Sequence, residues 1–184
     1  ICRILGLVRE QVLAALFGAT DAIDAYFVAF RIPNLVRDLF AEGAMSAAFV
    51  PTFTKHLTTE GKASAWRLGN NVINALLVVT GALVILGIVF AAPIVQAFAG
   101  NYADVPGKLE LTTFLARIML PMLTFVAVAA AVMGMLNSLH HFFIPALSPA
   151  MFNVVTVLAG LAVVPFADRI GVSAITIIAV STLV

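Results

Sequence analysis

Long apolar stretches separated by short polar breaks set the plan of this chain. From Leu68 to Ala103, and again from Ile118 to Ala167, no Asp, Glu, Lys or Arg interrupts the sequence. About 20 such residues cross the hydrocarbon core of a bilayer as a helix. The pattern predicts six helical spans, at 1–17, 21–50, 68–98, 108–139, 144–166 and 172–184. The sequence opens on Ile1, with Arg3 close behind and no lead-in, and the apolar run Ser173–Val184 is too short to cross alone. The expectation is therefore a fragment, cut inside its first and last spans. Gly18–Thr20, Gly100–Gly107, His140–Phe143 and Ala167–Gly171 read as connections. The polar stretch Thr52–Arg67 reads as an amphipathic surface loop or short helix. Pro33 and Pro121 fall inside predicted helices and should bend them, because each removes a backbone donor and crowds the turn before it. Pro51 suggests the end of the second span. Gly81 and Gly87 permit close helix approach in the third.

Composition narrows the class. The 184 residues are 62% hydrophobic and 10% charged, against about 25% charged in soluble domains. The fold class expected is an all-α, polytopic membrane helix bundle. The net charge of +1 gives no electrostatic case for nucleic acid. Cys2 is the single cysteine, which excludes a disulfide within these residues, and His140 and His141 have no third metal ligand near them in sequence. Loop lysines and arginines set orientation. Lys55, Lys62 and Arg67 follow the second span, Lys108 the third and Arg169 the fifth. That count puts the second loop in the cytoplasm and Gly18–Asp21 outside.

Charge is concentrated where the spans begin. Arg3, Arg9, Glu10, Asp21, Asp24, Arg31, Arg37, Asp38 and Glu42 make up nearly half of all charged residues. A charge at the centre of a membrane helix costs roughly 2.5–3.5 kcal/mol on insertion scales. Asp24, Arg31 and Asp38 recur every seven residues and share nearly one helical face. Arg37 lies about 100° away from that line, and Arg3 and Arg9 are about 120° apart on their own helix. Both helices thus present broad polar faces. One reading is a water-filled cavity with cationic walls, in which Arg3, Arg9 and Arg37 hold an anionic headgroup. Arginine suits phosphate because its planar fork donates two parallel hydrogen bonds and stays charged. The carboxylates would then balance the empty site and gate it by pairing with arginine. The other reading is structural: Arg3 and Arg9 snorkel to an interface, Asp21 and Asp24 cap a helix, and Arg37–Glu42 form loop-proximal pairs. Ser46 among Ala44, Ala47 and Ala48 reads as packing surface, as do most Phe residues. Asn137 and Asn153 are expected to be buried and to bond across helices, and Arg117 to reach an interface. No Gly-rich phosphate cradle, Gly-x-Ser-x-Gly or His-Glu-x-x-His is present. Asp21 and Asp24 are a poor version of a metal-binding acid cluster.

Blocks within this region are similar to a known family. Arg3-Ile-Leu-Gly-Leu-Val-Arg9-Glu10, Phe17-Gly-Ala, Asp24-Ala-Tyr-Phe-Val-Ala-Phe-Arg31-Ile-Pro-Asn-Leu-Val-Arg37 and Leu39-Phe-Ala-Glu-Gly-Ala-Met-Ser-Ala-Ala-Phe-Val-Pro51 resemble the bacterial lipid II flippases (MurJ, or MviN). Asn137, Pro145-Ala-Leu-Ser-Pro149 and Asn153 look like that family's fourth-to-fifth span connection. The resemblance covers the whole chain. It implies most of the N-terminal six-helix lobe of a two-lobe exporter fold, of the multidrug/oligosaccharidyl-lipid/polysaccharide type. The implied activity is movement of undecaprenyl-pyrophosphate disaccharide-pentapeptide from the cytoplasmic to the periplasmic leaflet of the bacterial inner membrane.

By the same resemblance, the cavity arginines fall on Arg3, Arg9 and Arg37, and a functionally sensitive acid on Asp24. The Glu-Gly-Ala corner falls on Glu42. Glu10, Arg31 and Asp38 join Asp24 and Glu42 as gating or charge-pairing candidates. The partners implied are lipid II, membrane lipids and a C-terminal lobe of the same protein. No cofactor is implied, and an ion gradient or the membrane potential would reset the carrier. This sequence departs from the family at Glu10, where Asp is usual, at Cys2, where Ser is frequent, and at His140–His141, where a basic residue is frequent. Two rival functions are an exporter of another prenyl-linked glycan or small molecule, and a membrane enzyme acting on prenyl phosphates.

Overall fold

Helix-permitting sequence broken by glycine and proline gives a wholly helical course among the described residues. The computed structural model describes residues 2–18, 20–37, 48–100, 102, 105–167 and 171–183. For some helical residues, Arg3 and Arg37 among them, it describes the backbone alone.

Helix α1 (Cys2–Phe17) ends where Gly18 turns left-handed at φ 58°. The Gly18 N–H donates to the Ala14 carbonyl at 2.8 Å, which satisfies one of the carbonyls a helix end leaves free. Helix α2 (Asp21–Arg37) starts as the Thr20 carbonyl accepts from the N–H groups of Ile23 and Asp24. Asp21 and Asp24 occupy its first turn, where the helix dipole favours negative charge. The helix passes through Pro33, which is buried. Beside it the Asn34 amide donates to the Phe30 carbonyl one turn back at 2.9 Å.

Pro51 does not end a helix. It sits in the first turn of α3 (Val50–Thr59), the position where its missing N–H costs nothing. Gly61 at φ 86° separates α3 from α4 (Lys62–Val89). The third long helix thus begins at Lys62, six residues before the expected Leu68. It also stops short of Phe98: α5 (Ala91–Phe98) follows a break at Phe90. Pro93 has no N–H to offer the Val89 carbonyl, the last of α4, so the ladder is interrupted there.

The same rule acts further on. Helices α6 (Lys108–Met119) and α7 (Met122–Ser138) are separated at Leu120–Pro121. Helix α8 (Phe143–Leu158) passes into a wider π turn at Ala159–Val163 and a 3₁₀ turn at Val164–Phe166, just where Pro165 falls. Helix α9 (Ala174–Ser181) closes the described fold.

Two buried clusters hold the helices. In the first, Leu13 of α1, Tyr26 and Ala29 of α2, Leu115 and Met119 of α6 and Ile178 of α9 pack together. Buried Ala25, Ala29 and Ala116 let α2 and α6 lie close, as small residues do in lipid, where packing drives association. The second cluster joins Phe49 and Phe53 to Ala65, Leu76, Ala131 and Met135 of α4 and α7. Gly69 against Met135, Gly87 against Leu120, Gly134 against Val50 and Gly160 against Val12 and Leu16 mark the tight crossings. Gly81, expected among them, has open space around it.

On α4 the buried positions Ala65, Gly69, Leu76, Thr80 and Val84 form one stripe, while Val78, Ile85 and Val89 are exposed. An apolar exterior of this kind suits lipid, not water. Lys62–Val89 and Lys108–Ser138 are long and apolar enough to cross a membrane. The connections sort to two ends. Lys108 meets Asp21 and Asp24 at one. Thr54 donates to Ser138 at the other, at 3.2 Å.

Candidate functional site

Arg9 lies three residues before Val12 and four before Leu13, and so shares the packed side of α1. Val12 meets Gly160 beyond α8, and Leu13 is fully buried. The Arg9 side chain is half-buried. Its guanidinium carbon stands 5.9 Å from the ring centre of Phe30 and 5.6 Å from that of Phe152. Those rings, from α2 and α8, are stacked at 6.1 Å and 11°. Tyr26 continues the stack, 5.8 Å from Phe30 and 6° from parallel. Three helices thus converge on one cation. The negative faces of aromatic rings attract a guanidinium within about 6 Å.

The polar atoms here are incompletely matched. Arg9 Nε, the Tyr26 hydroxyl and Asn34 Oδ1 are buried without a hydrogen-bond partner among the described residues. Such groups are costly when nothing ever meets them. Tyr26, Phe30 and Asn34 follow one another at four-residue spacing along α2. Arg37, eleven residues after Tyr26, returns to within about 20° of it. The backbone therefore places Arg37 on the face that carries the aromatic stack. Its side chain, and that of Arg3, lie outside the described atoms.

The acids behave differently. Asp24 and Arg31 lie away from that face of α2, about 100–125° around the helix, and are exposed. Asp24 pairs with a lysine, not with an arginine as expected. Lys108 Nζ lies 3.1 Å from Asp24 Oδ2 and 2.7 Å from Asp21 Oδ1, and 4.2 Å from the Tyr102 ring centre. Lys108 is 8% exposed while both aspartates remain more than half exposed. A cation at the N-terminus of α6 opposes the helix dipole, and the two carboxylates from α2 offset that cost. Glu10 is exposed. Asp38, Glu42 and Ser46 fall outside the described residues. No group of three His, Cys, Asp or Glu comes together for a metal among the described residues.

Other expectations are corrected or refined. Asn137 is exposed at the end of α7, not buried between helices. Asn153 is half-buried, and Arg117 is exposed. His140 and His141 are exposed, and His140 adopts a left-handed φ of 61°. Their N–H groups donate to the carbonyls of Asn137 and Leu136, so the pair closes α7 in a Schellman turn. Sequence reasoning missed Lys108, counted only as a loop charge, and the rings of Phe30 and Phe152. The spacing of Tyr26, Phe30 and Arg37 on one face was the available signal for α2. Nothing local distinguishes Phe152.

Comparison with known proteins decides the family. The family model described as lipid II flippase MurJ matches residues 13–184. The chain belongs to the MurJ family. Relatives include the probable lipid II flippase MurJ of Rhizobium tropici, 41% identical over 159 residues, covering 85% of this chain and 30% of that protein. The probable lipid II flippase MurJ of Bdellovibrio bacteriovorus is 42% identical over 154 residues, covering 83% and 29%. The lipid II flippase MurJ of Burkholderia cenocepacia is 36% identical over 163 residues, covering 89% and 32%. A solved lipid II flippase MurJ in an inward closed conformation superposes with a TM-score of 0.76 at 29% identity, covering 99% of this chain and 37% of that one. The chain spans about a third of the length of the MurJ proteins it matches. MurJ is a membrane-protein family, and the apolar exterior of α4 fits it.

Proposed function

We propose that this chain forms the first lobe of a lipid II flippase, a multi-pass carrier in the bacterial inner membrane and not an enzyme. Arg3, Arg9 and Arg37 hold the pyrophosphate of the undecaprenyl-linked disaccharide-pentapeptide. Glu10, Asp24, Arg31, Asp38 and Glu42 serve charge pairing and gating. A second lobe closes the cavity, and the two rock to expose it to each side in turn. No cofactor is called for, and an ion gradient or the membrane potential resets the carrier.

The observation that carries this reading is Arg9. Its charge lies inside an apolar helix, and no carboxylate meets it among the described residues. Ring faces offset part of its desolvation and leave the fork able to donate to an anion. The kinship to named lipid II flippases supplies the identity of that anion. Asp21 and Asp24, the acids a prenyl-phosphate enzyme would need for a metal, are instead engaged by Lys108.

The test is complementation by the full-length protein in cells depleted of their own flippase. Arg9→Ala and Arg37→Ala are expected to insert normally and fail to sustain growth. Growth with both variants would overturn the headgroup assignment.

A further inference from the structure

We propose that Phe30 and Phe152 are positioning residues that orient the Arg9 guanidinium for an oxyanion. This inference rests on the assignment of Arg9 to the headgroup site. The guanidinium carbon is nearly equidistant from the two ring centres, at 5.9 and 5.6 Å. It therefore straddles the pair instead of lying flat on one ring. The rings themselves are stacked nearly parallel and are held from α2 and α8. Tyr26, buried at 1% exposure, stacks on Phe30 in turn, 5.8 Å between ring centres. Arginine on a helix has many rotamers, and fixing one costs entropy. A seat built from two neighbouring helices meets that cost before ligand arrives, which favours binding by preorganisation.

The seat also selects a chemical class. Contact with ring faces attracts the cation without consuming its N–H donors. Arg9 Nε is buried and unmatched among the described residues. The donors left over are coplanar, which suits two adjacent oxygens of a phosphate or pyrophosphate better than a single carbonyl. An arginine held by a carboxylate would have spent those donors. Because the seat spans α1, α2 and α8, any movement of α8 relative to α2 parts the rings and releases the cation. Anion affinity is thereby tied to the packing of these three helices.

The experiment measures lipid II binding to the purified full-length protein in a double-mutant cycle. The variants are Phe30→Leu, Phe152→Leu, Phe152→Tyr and Arg9→Ala, alone and combined, with thermal unfolding recorded for each. Phe152→Leu is expected to weaken binding roughly tenfold, the scale of one desolvated cation–π contact. Phe152→Tyr keeps a ring face and should bind within about twofold of the unmodified protein. In an Arg9→Ala background the leucine change should have no further effect, because the ring acts through the guanidinium. If the leucine variants bind lipid II as the unmodified protein does, or weaken binding equally with and without Arg9, the positioning role is overturned while the headgroup assignment stands. If Arg9→Ala binds normally, the assignment itself fails. Should Phe152→Leu not fold, Phe30→Leu and the tyrosine variant decide the same question.

Discussion

Lys108, buried at the start of α6, places its ammonium 3.1 Å from the Asp24 carboxylate at the start of α2. Asp21 takes a second contact at 2.7 Å. The pair ties two helix N-termini whose dipoles would each repel the lysine. Lys108→Met keeps the aliphatic stem but removes the charge. It is expected to lower the melting temperature only slightly, since both acids are largely exposed and partly screened. Asp24→Asn should cost less, because Asp21 still engages the ammonium. Exchange of the charges, Asp24→Lys with Lys108→Asp, should recover part of the loss. Thermal unfolding of the four proteins in detergent checks this. Equal stability throughout would mean that the contact is incidental.

Glu60 lies at the opposite end, in the connection after α3. The Ser64 hydroxyl donates to it at 2.6 Å, and His56 Nδ1 lies 3.0 Å away. The Ser64 bond first, and the His56 bond second, hold this carboxyl below its ordinary value of 4.5. A carboxyl lowered on folding adds stability above its unfolded value, which is lost as the pH falls through the lowered folded value. The contribution is therefore present at neutral pH and disappears only on acidification below about 4.5. Glu60→Gln should lower the melting temperature slightly at neutral pH, change little at acid pH and so flatten the acid limb, read from melting temperature against pH.

Gly160 sets the distance between α1 and the turn beyond α8. An added Cβ would come within 3.1 Å of Leu16 Cδ1 and 3.2 Å of Val12 Cγ1. Gly160→Val is expected to cost about 1–3 kcal/mol by overpacking. It should also weaken lipid II binding, because α1 carries Arg9. Gly81→Val, where space is open, is the control and should leave binding unchanged.

His140 closes α7 with a left-handed backbone that costs an ordinary residue about 1–2 kcal/mol. Glycine relieves the strain but loosens the unfolded chain by roughly 0.5–1 kcal/mol. His140→Gly should therefore be neutral to slightly stabilising in thermal unfolding. A clear loss of stability would show that the His140 ring, 6.0 Å from Phe142, holds the turn.

Much of this was legible in the residues. Apolar runs gave the helices, and Pro121 gave the break between α6 and α7. Pro93 carried the same signal for Phe90 but was passed over, since the run around it has no charge to mark an end. Pro51 was misread because proline both stops a helix and starts one, and only the flanking backbone decides. Arg9 stood out by charge in an apolar helix. Its seat did not, because Phe152 is far along the chain and phenylalanine is common in any membrane helix. Lys108 looked like a topology signal until folding brought Asp21 and Asp24 to it.

The account turns on the side of α1 that carries Arg9 facing water inside the membrane. The direct test is thiol labelling in cells, using an otherwise cysteine-free full-length protein with Cys2→Ser and one introduced cysteine. Arg9→Cys should react with a membrane-impermeant thiol reagent. Val78→Cys on the exposed apolar side of α4 should stay unlabelled. An unreactive Arg9→Cys beside a reactive Val78→Cys would contradict the account.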